Sequence, residues 1–151
     1  MKGIRGEQGT ALIELIGLSI MLLIPISYLA VSVFAVQHAV FAAGAAAKEA
    51  GRSFVLAESS STALERATDA MRLSLDEQDL HGGRLSIHRK GESCEQPSAE
   101  PALIPGAVYV ICVQLDVAMP FVGRGFLADA LHAPTVTGRT TVTVDYYRSE
   151  R

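Results

Sequence analysis

Between Gly6 and Ala47 the chain has no lysine and no arginine, and over all 151 residues it has only two cysteines. Its 13 basic residues are outnumbered by 16 acidic ones, and residues 37 to 151 by themselves carry 14 acids against 11 bases. A net charge of −3 with no basic stripe argues against nucleic acid as a partner. The four histidines, His38, His81, His88 and His132, show no H-x3-H or H-E-x-x-H spacing. Zinc would need several of them to converge, and no Ser/His/Asp or Cys/His arrangement is legible. Neither enzyme chemistry nor a cofactor is therefore expected. "GRGFLA" (123 to 128), with Asp145 downstream, matches a dinucleotide fingerprint in letters only. A Rossmann unit needs a parallel βαβ crossover around that motif, and Pro120 with one further strand leaves no room for it. The stretch reads as a surface loop with a turn of helix.

The base-free region holds a long oily run. From Leu15 to Val36, "LIGLSIMLLIPISYLAVSVFAV", there are 22 residues without a charge. That matches the roughly 20 needed to cross a bilayer core as a helix. Lys2 and Arg5 precede it and Lys48 and Arg52 follow, which favours a cytoplasmic N-terminus only weakly. A cleaved secretory signal would have a much shorter apolar core with an A-x-A-like cut close behind it. The small-residue site here, "AGA" (43 to 45), lies about thirty residues beyond the start of the core, so the run reads as an anchor.

Residues 37 to 59, "QHAVFAAGAAAKEAGRSFVLAES", stay alanine-rich without proline, and propensity continues the helix to about Glu58. A helix over 10 to 58 would be about 73 Å long, of which only half can lie in lipid. "ESSST" (58 to 62) interrupts it, and "TALE" restarts a helix with Thr62 as N-cap and Glu65 three residues on. Leu64, Ala67, Met71 and Leu75 give this second helix an apolar face. "DEQDLHGG" (76 to 83) ends it.

Beyond Gly83 the period changes to two. "RLSIHRK" (84 to 90), "AVYVICVQLDVAM" (107 to 119) and "TTVTVDYY" (140 to 147) alternate as strands. Tyr109, Ile111, Val113, Leu115 and Val117 share one face, as do Val142, Val144 and Tyr146. Three such strands hold if the second helix covers them. Cys112 falls on the opposite face, beside Gln114 and Asp116, directed at solvent or at the irregular loop (91 to 106) that carries Cys94. If this part is exported a Cys94–Cys112 disulfide is permitted; otherwise the two remain thiols. The expected class is α+β: a long N-terminal membrane-spanning helix continuing into a small exported domain of one helix on a three-stranded antiparallel sheet.

One acid stands at the entrance of the span. "G9-TALIE14" places a small residue after Gly9 and a carboxylate, Glu14, immediately before the uncharged run. This resembles the prepilin leader of type IV pilins and pseudopilins. The resemblance implies that a membrane aspartyl peptidase facing the cytoplasm cuts between Gly9 and Thr10. The apolar helix then stays on the product, with Glu14 its fifth residue. A carboxylate in a membrane helix costs on the order of 2.5 to 3.5 kcal/mol at the centre and persists mainly where it finds a partner. Cleavage would supply one, the cationic α-amino group of Thr10 on a neighbouring subunit. Glu14 also lies where the helix dipole favours an anion.

"AAKEAGRSF" (46 to 54), with Lys48, Glu49 and Arg52, is similar to the segment that follows the membrane helix in TadE-like proteins of the tight-adherence (Tad/Flp) pilus system. So are the proline within the span, Pro25, the Ser-rich break, and the "VDYYR" ending. The chain departs from that pattern at Leu15, where an aromatic is frequent, at Lys48 in place of Arg, and in the order of Ala50 and Gly51.

The layout implied is a leader over 1–9, a transmembrane helix over 10–36, a helix extension over 37–58 and an extracytoplasmic domain over 62–151. The function implied is that of a minor pilin or pseudopilin, its partners the membrane, the prepilin peptidase, other pilin subunits and the pilus assembly machinery. Lys48, Glu49 and Arg52 are candidates for headgroup or subunit contact, and Pro25 for a helix kink near residue 21. A type II secretion pseudopilin shares the leader. A single-pass surface module without processing shares the span.

Overall fold

The computed structural model describes residues 7–98, 102–117 and 134–147. Helix α1 spans Glu7–Leu56, 50 residues or about 75 Å. It is one helix with two surroundings. From Ala11 through Val31 every side chain is exposed, among them Leu22, Ile24, Leu29 and Val31. From Ala39 onward Ala39, Ala42, Ala43, Ala46, Ala47, Ala50 and Phe54 are fully buried. Their i, i+3, i+4, i+7 spacing marks a single stripe turned toward a core.

The helix ends at Leu56, and Ser59 in an extended conformation caps α2, Ser60–Asp76, its hydroxyl accepting from the Thr62 N–H at 3.4 Å. The cap is therefore Ser59 and not Thr62, because the serine run offers an acceptor one turn earlier. Ala67, Met71 and Leu75 are buried as their spacing predicts, joined by Ala63 and Ser74, whereas Leu64, expected on the same face, is 43% exposed. After α2 the chain reverses through Asp79 (φ +56°) and Gly82 (φ +80°), the latter in a region that favours glycine.

Three antiparallel strands follow in the order β1-β2-β3: β1 Arg84–Arg89, β2 Val108–Asp116 and β3 Thr135–Thr143. Ile87 lies opposite Ile111, and Ile111 opposite Thr140. Register thus puts Ile87, the odd residues Tyr109 to Leu115, Val136, Gly138 and Val142 on one face. The third strand begins five residues earlier than expected and stops before the tyrosines. Val144 is buried, as the alternation predicts, whereas Tyr146 is 73% exposed and Tyr147 95%. Gly138 and Arg139 hide this strand from a hydrophobic-period reading, although threonine and valine suit it well.

α1 and α2 lie side by side on that face. Phe54 meets Tyr109 edge to face, centroids 5.4 Å apart, and Leu75 and Met71 reach Gly83 at the head of β1. The C-terminal half of α1, expected as a helix extension outside the membrane, is part of the core that it forms with α2 and the sheet. The closest approach is between α1 and β3. A Cβ on Gly138 would stand 2.1 Å from the carbonyl of Ala43, and one on Gly51 would stand 2.8 Å from Val142 Cγ1. Small residues on both elements let the backbones touch.

Candidate functional site

The candidate site is the entrance of α1. Gly9 and Thr10 lie in its opening turns and Glu14 one turn further, exposed at the start of the apolar surface. Above Glu14 the helix supplies its own polar partners. Ser19 Oγ donates to the Leu15 carbonyl at 2.7 Å and Ser32 Oγ to the Tyr28 carbonyl at 2.9 Å. Hydroxyls satisfied this way place no unmet demand on a hydrocarbon solvent. Glu14 is the one charged side chain from Ala11 through Val36. The helix is unbroken through Pro25, whose missing N–H frees the carbonyl of Met21.

Lys48, Glu49 and Arg52 are all exposed. Lys48 stands about 18 Å along the helix from residue 36. A headgroup layer adds only about 5 to 8 Å to each side of the hydrocarbon. Gly51, between Glu49 and Arg52, lies against Val142 and Thr140, so the patch is level with the sheet.

Cys94 and Cys112 are bonded, their Cα atoms 5.9 Å apart. Cys112 is on the outer face of β2, and the bridge holds the loop from Gly91 against that face. Closing a loop of this length is worth about 3 kcal/mol in the chain-entropy model. Beneath the loop His88 is fully buried, its Nε2 paired with Ser86 Oγ at 2.9 Å and its Nδ1 without a partner among the described residues. At the far end of the sheet Asp116 takes the Thr135 hydroxyl at 2.7 Å and the Arg84 guanidinium at 3.2 and 3.3 Å. The Thr135 hydrogen bond first, and the Arg84 charge after it, hold the Asp116 carboxyl below the usual carboxylate range.

Among the described residues no three His, Cys, Asp or Glu side chains gather as metal ligands. Residues 118–133, which include His132 and the G-x-G-x-x-A motif, lie outside the described residues. Asp145 follows β3, its carboxylate accepting from the Tyr147 N–H at 2.9 Å.

Propensity alone predicts only helix for the alanine run, whereas its i, i+3, i+4, i+7 spacing carries the signal of a buried stripe.

Fold and site together define a class: an α+β domain whose first core helix extends into one apolar helix long enough to span a membrane. No family model, no curated protein and no solved structure matches the chain.

Proposed function

We propose that this chain is a minor pilin or pseudopilin of TadE type, inserted with its N-terminus in the cytoplasm, cut between Gly9 and Thr10, and assembled into a Tad/Flp-type pilus for surface adherence. The observation that carries the reading is the position of Glu14. It is a lone acid, exposed, on a helix that is otherwise uncharged for the length of a bilayer and then enters a folded domain without a break.

A separate anchor has no use for that acid at the lipid boundary, where it costs free energy. A processed subunit does: the freed Thr10 amine on a neighbour pairs with it and sets the axial register of parallel helices. The continuous α1 supports this role, because a rigid link between span and domain transmits that register outward. The bonded cysteines fit a domain outside the cytoplasm.

Replacing Gly9 by leucine is expected to leave the unprocessed precursor in membranes, read as a mass shift on immunoblot. Glu14→Val is expected to insert and be cut normally but to be lost from sheared fibres. Normal processing of the Gly9 variant, or normal incorporation of the Glu14 variant, would contradict the proposal.

A further inference from the structure

The two edges of the sheet are treated differently. On β1, Ile87 donates its N–H to Ser98 Oγ at 3.0 Å, and the same hydroxyl donates to the Ile87 carbonyl at 3.1 Å. The Arg89 N–H is taken by the Glu92 carboxylate at 2.7 Å. The disulfide-tethered loop thus closes that edge.

Among the described residues β3 has no such cover. The bonds from Val117 N–H to the Pro134 carbonyl and from Val144 N–H to the Ala107 carbonyl show that its even residues face β2. By alternation the N–H and C=O of Thr137, Arg139, Thr141 and Thr143 point away from the sheet. Among the described residues none of these backbone groups has a backbone partner. A nine-residue, threonine- and valine-rich edge without proline or lysine is a template for a further strand.

A second copy does not fit it. Ala43 sits on Gly138 and Gly51 on Val142. Those eight helix residues rise about 12 Å and the four strand residues about 13 Å, so α1 runs along β3 in the same direction. A symmetric antiparallel β3–β3 pair turns one copy half round in the plane of the sheet. The two apolar spans would then point opposite ways, and both could not enter one bilayer. In a side-by-side array of parallel copies the facing edge would be β1, which is closed.

Charge indicates what does fit. Arg139 is the one charged residue of β3, exposed on its outer face. On α1, Lys48 lies 60° further round than Gly51, on the side away from Ala39, Ala42 and Ala46, and at a height between Ala43 and Gly51. α2 occupies the β1 side, through Leu75 and Met71 at Gly83. Lys48 therefore overhangs the open edge of β3. A strand laid there would direct alternate side chains toward Lys48 and toward the row of Arg139.

We propose that the β3 edge, roofed by Lys48, is a docking groove that takes an extended acidic segment of a partner protein as a fourth strand. Its backbone would bond the outward groups of β3, and its carboxylates would meet Lys48 on one face and Arg139 on the other. The proposal does not depend on cleavage at Gly9; only the exclusion of self-pairing uses the membrane span.

The test uses the full chain in phosphatidylcholine nanodiscs and a synthetic peptide of alternating valine and threonine with two central glutamates. The peptide is expected to slow amide hydrogen exchange at Thr137, Arg139, Thr141 and Thr143. A version with lysine for glutamate should bind about tenfold more weakly. Thr141→Pro removes an outward donor without touching a bond to β2 and should abolish the protection. Lys48→Glu with Arg139→Glu leaves the backbone intact and should reverse the preference toward the lysine peptide. Absence of protection with about 1 mM glutamate peptide, binding by Thr141→Pro equal to wild type, or indifference to peptide charge would overturn the assignment.

Discussion

α1 contains two stretches of helix that differ in what surrounds them. Residues 11 to 31 present leucine, isoleucine, valine and methionine on all sides, and none of these is covered. Residues 39 to 54 present mostly alanine and glycine, and one stripe of them is covered completely. Large side chains all round a helix suit a hydrocarbon solvent, since water does not tolerate an apolar patch of that extent. Small side chains on one stripe suit contact with backbone, since each removes little area but admits a neighbour to van der Waals distance. The same helix thus carries in one half an apolar surface long enough to span a bilayer and in the other a stripe for close packing.

Truncation separates the halves most sharply. Phe54→Ala removes a fully buried ring from Tyr109 and is expected to destabilise the domain by about 3 to 5 kcal/mol. Ile24→Ala, in the exposed half, should leave domain unfolding within about 0.5 kcal/mol of wild type. Chemical denaturation of both variants in the same detergent, followed by tyrosine fluorescence, makes the comparison. Equal losses would mean that the first half also packs in the domain.

A gentler change probes the close approach itself. Gly138→Ala puts one methyl where the Ala43 carbonyl already stands and should cost about 1 to 3 kcal/mol by overpacking. Gly17→Ala meets nothing within 4 Å and should be neutral in the same assay.

The smallest effect expected is that of pH at the Asp116 cluster. A carboxyl held below its ordinary value contributes stability that is fully present above the unfolded pKa, near 3.9, and is lost as pH falls through the folded value. The Tm difference between wild type and Asp116→Asn should be constant from pH 7 to about pH 5 and shrink only below about pH 4. A difference growing on acidification would have the wrong sign.

The uncharged run and alanine propensity make α1 legible in the sequence, and the switch of period at Gly83, from 3.6 to two, makes α2 and the first two strands so. β3 was displaced because Gly138 and Arg139 break the apolar alternation, and both have structural reasons that a strand pattern does not contain. Gly138 clears Ala43, and Arg139 faces outward from the sheet. The α2 cap moved because "ESSST" offers several equivalent acceptors within one turn. At the entrance of α1 the motif is legible letter by letter, whereas the level of Lys48 relative to β3 needed the tertiary contact between Ala43 and Gly138. The open edge and the buried His88 are likewise products of topology, since each depends on where the loop from Gly91 is tied.

Mass spectrometry of the N-terminal peptide from native membranes decides whether the chain is cut after Gly9. With the proposed cleavage the mature chain begins at Thr10. A chain beginning at Met1, or one cut beyond the apolar run near Ala46, would contradict it.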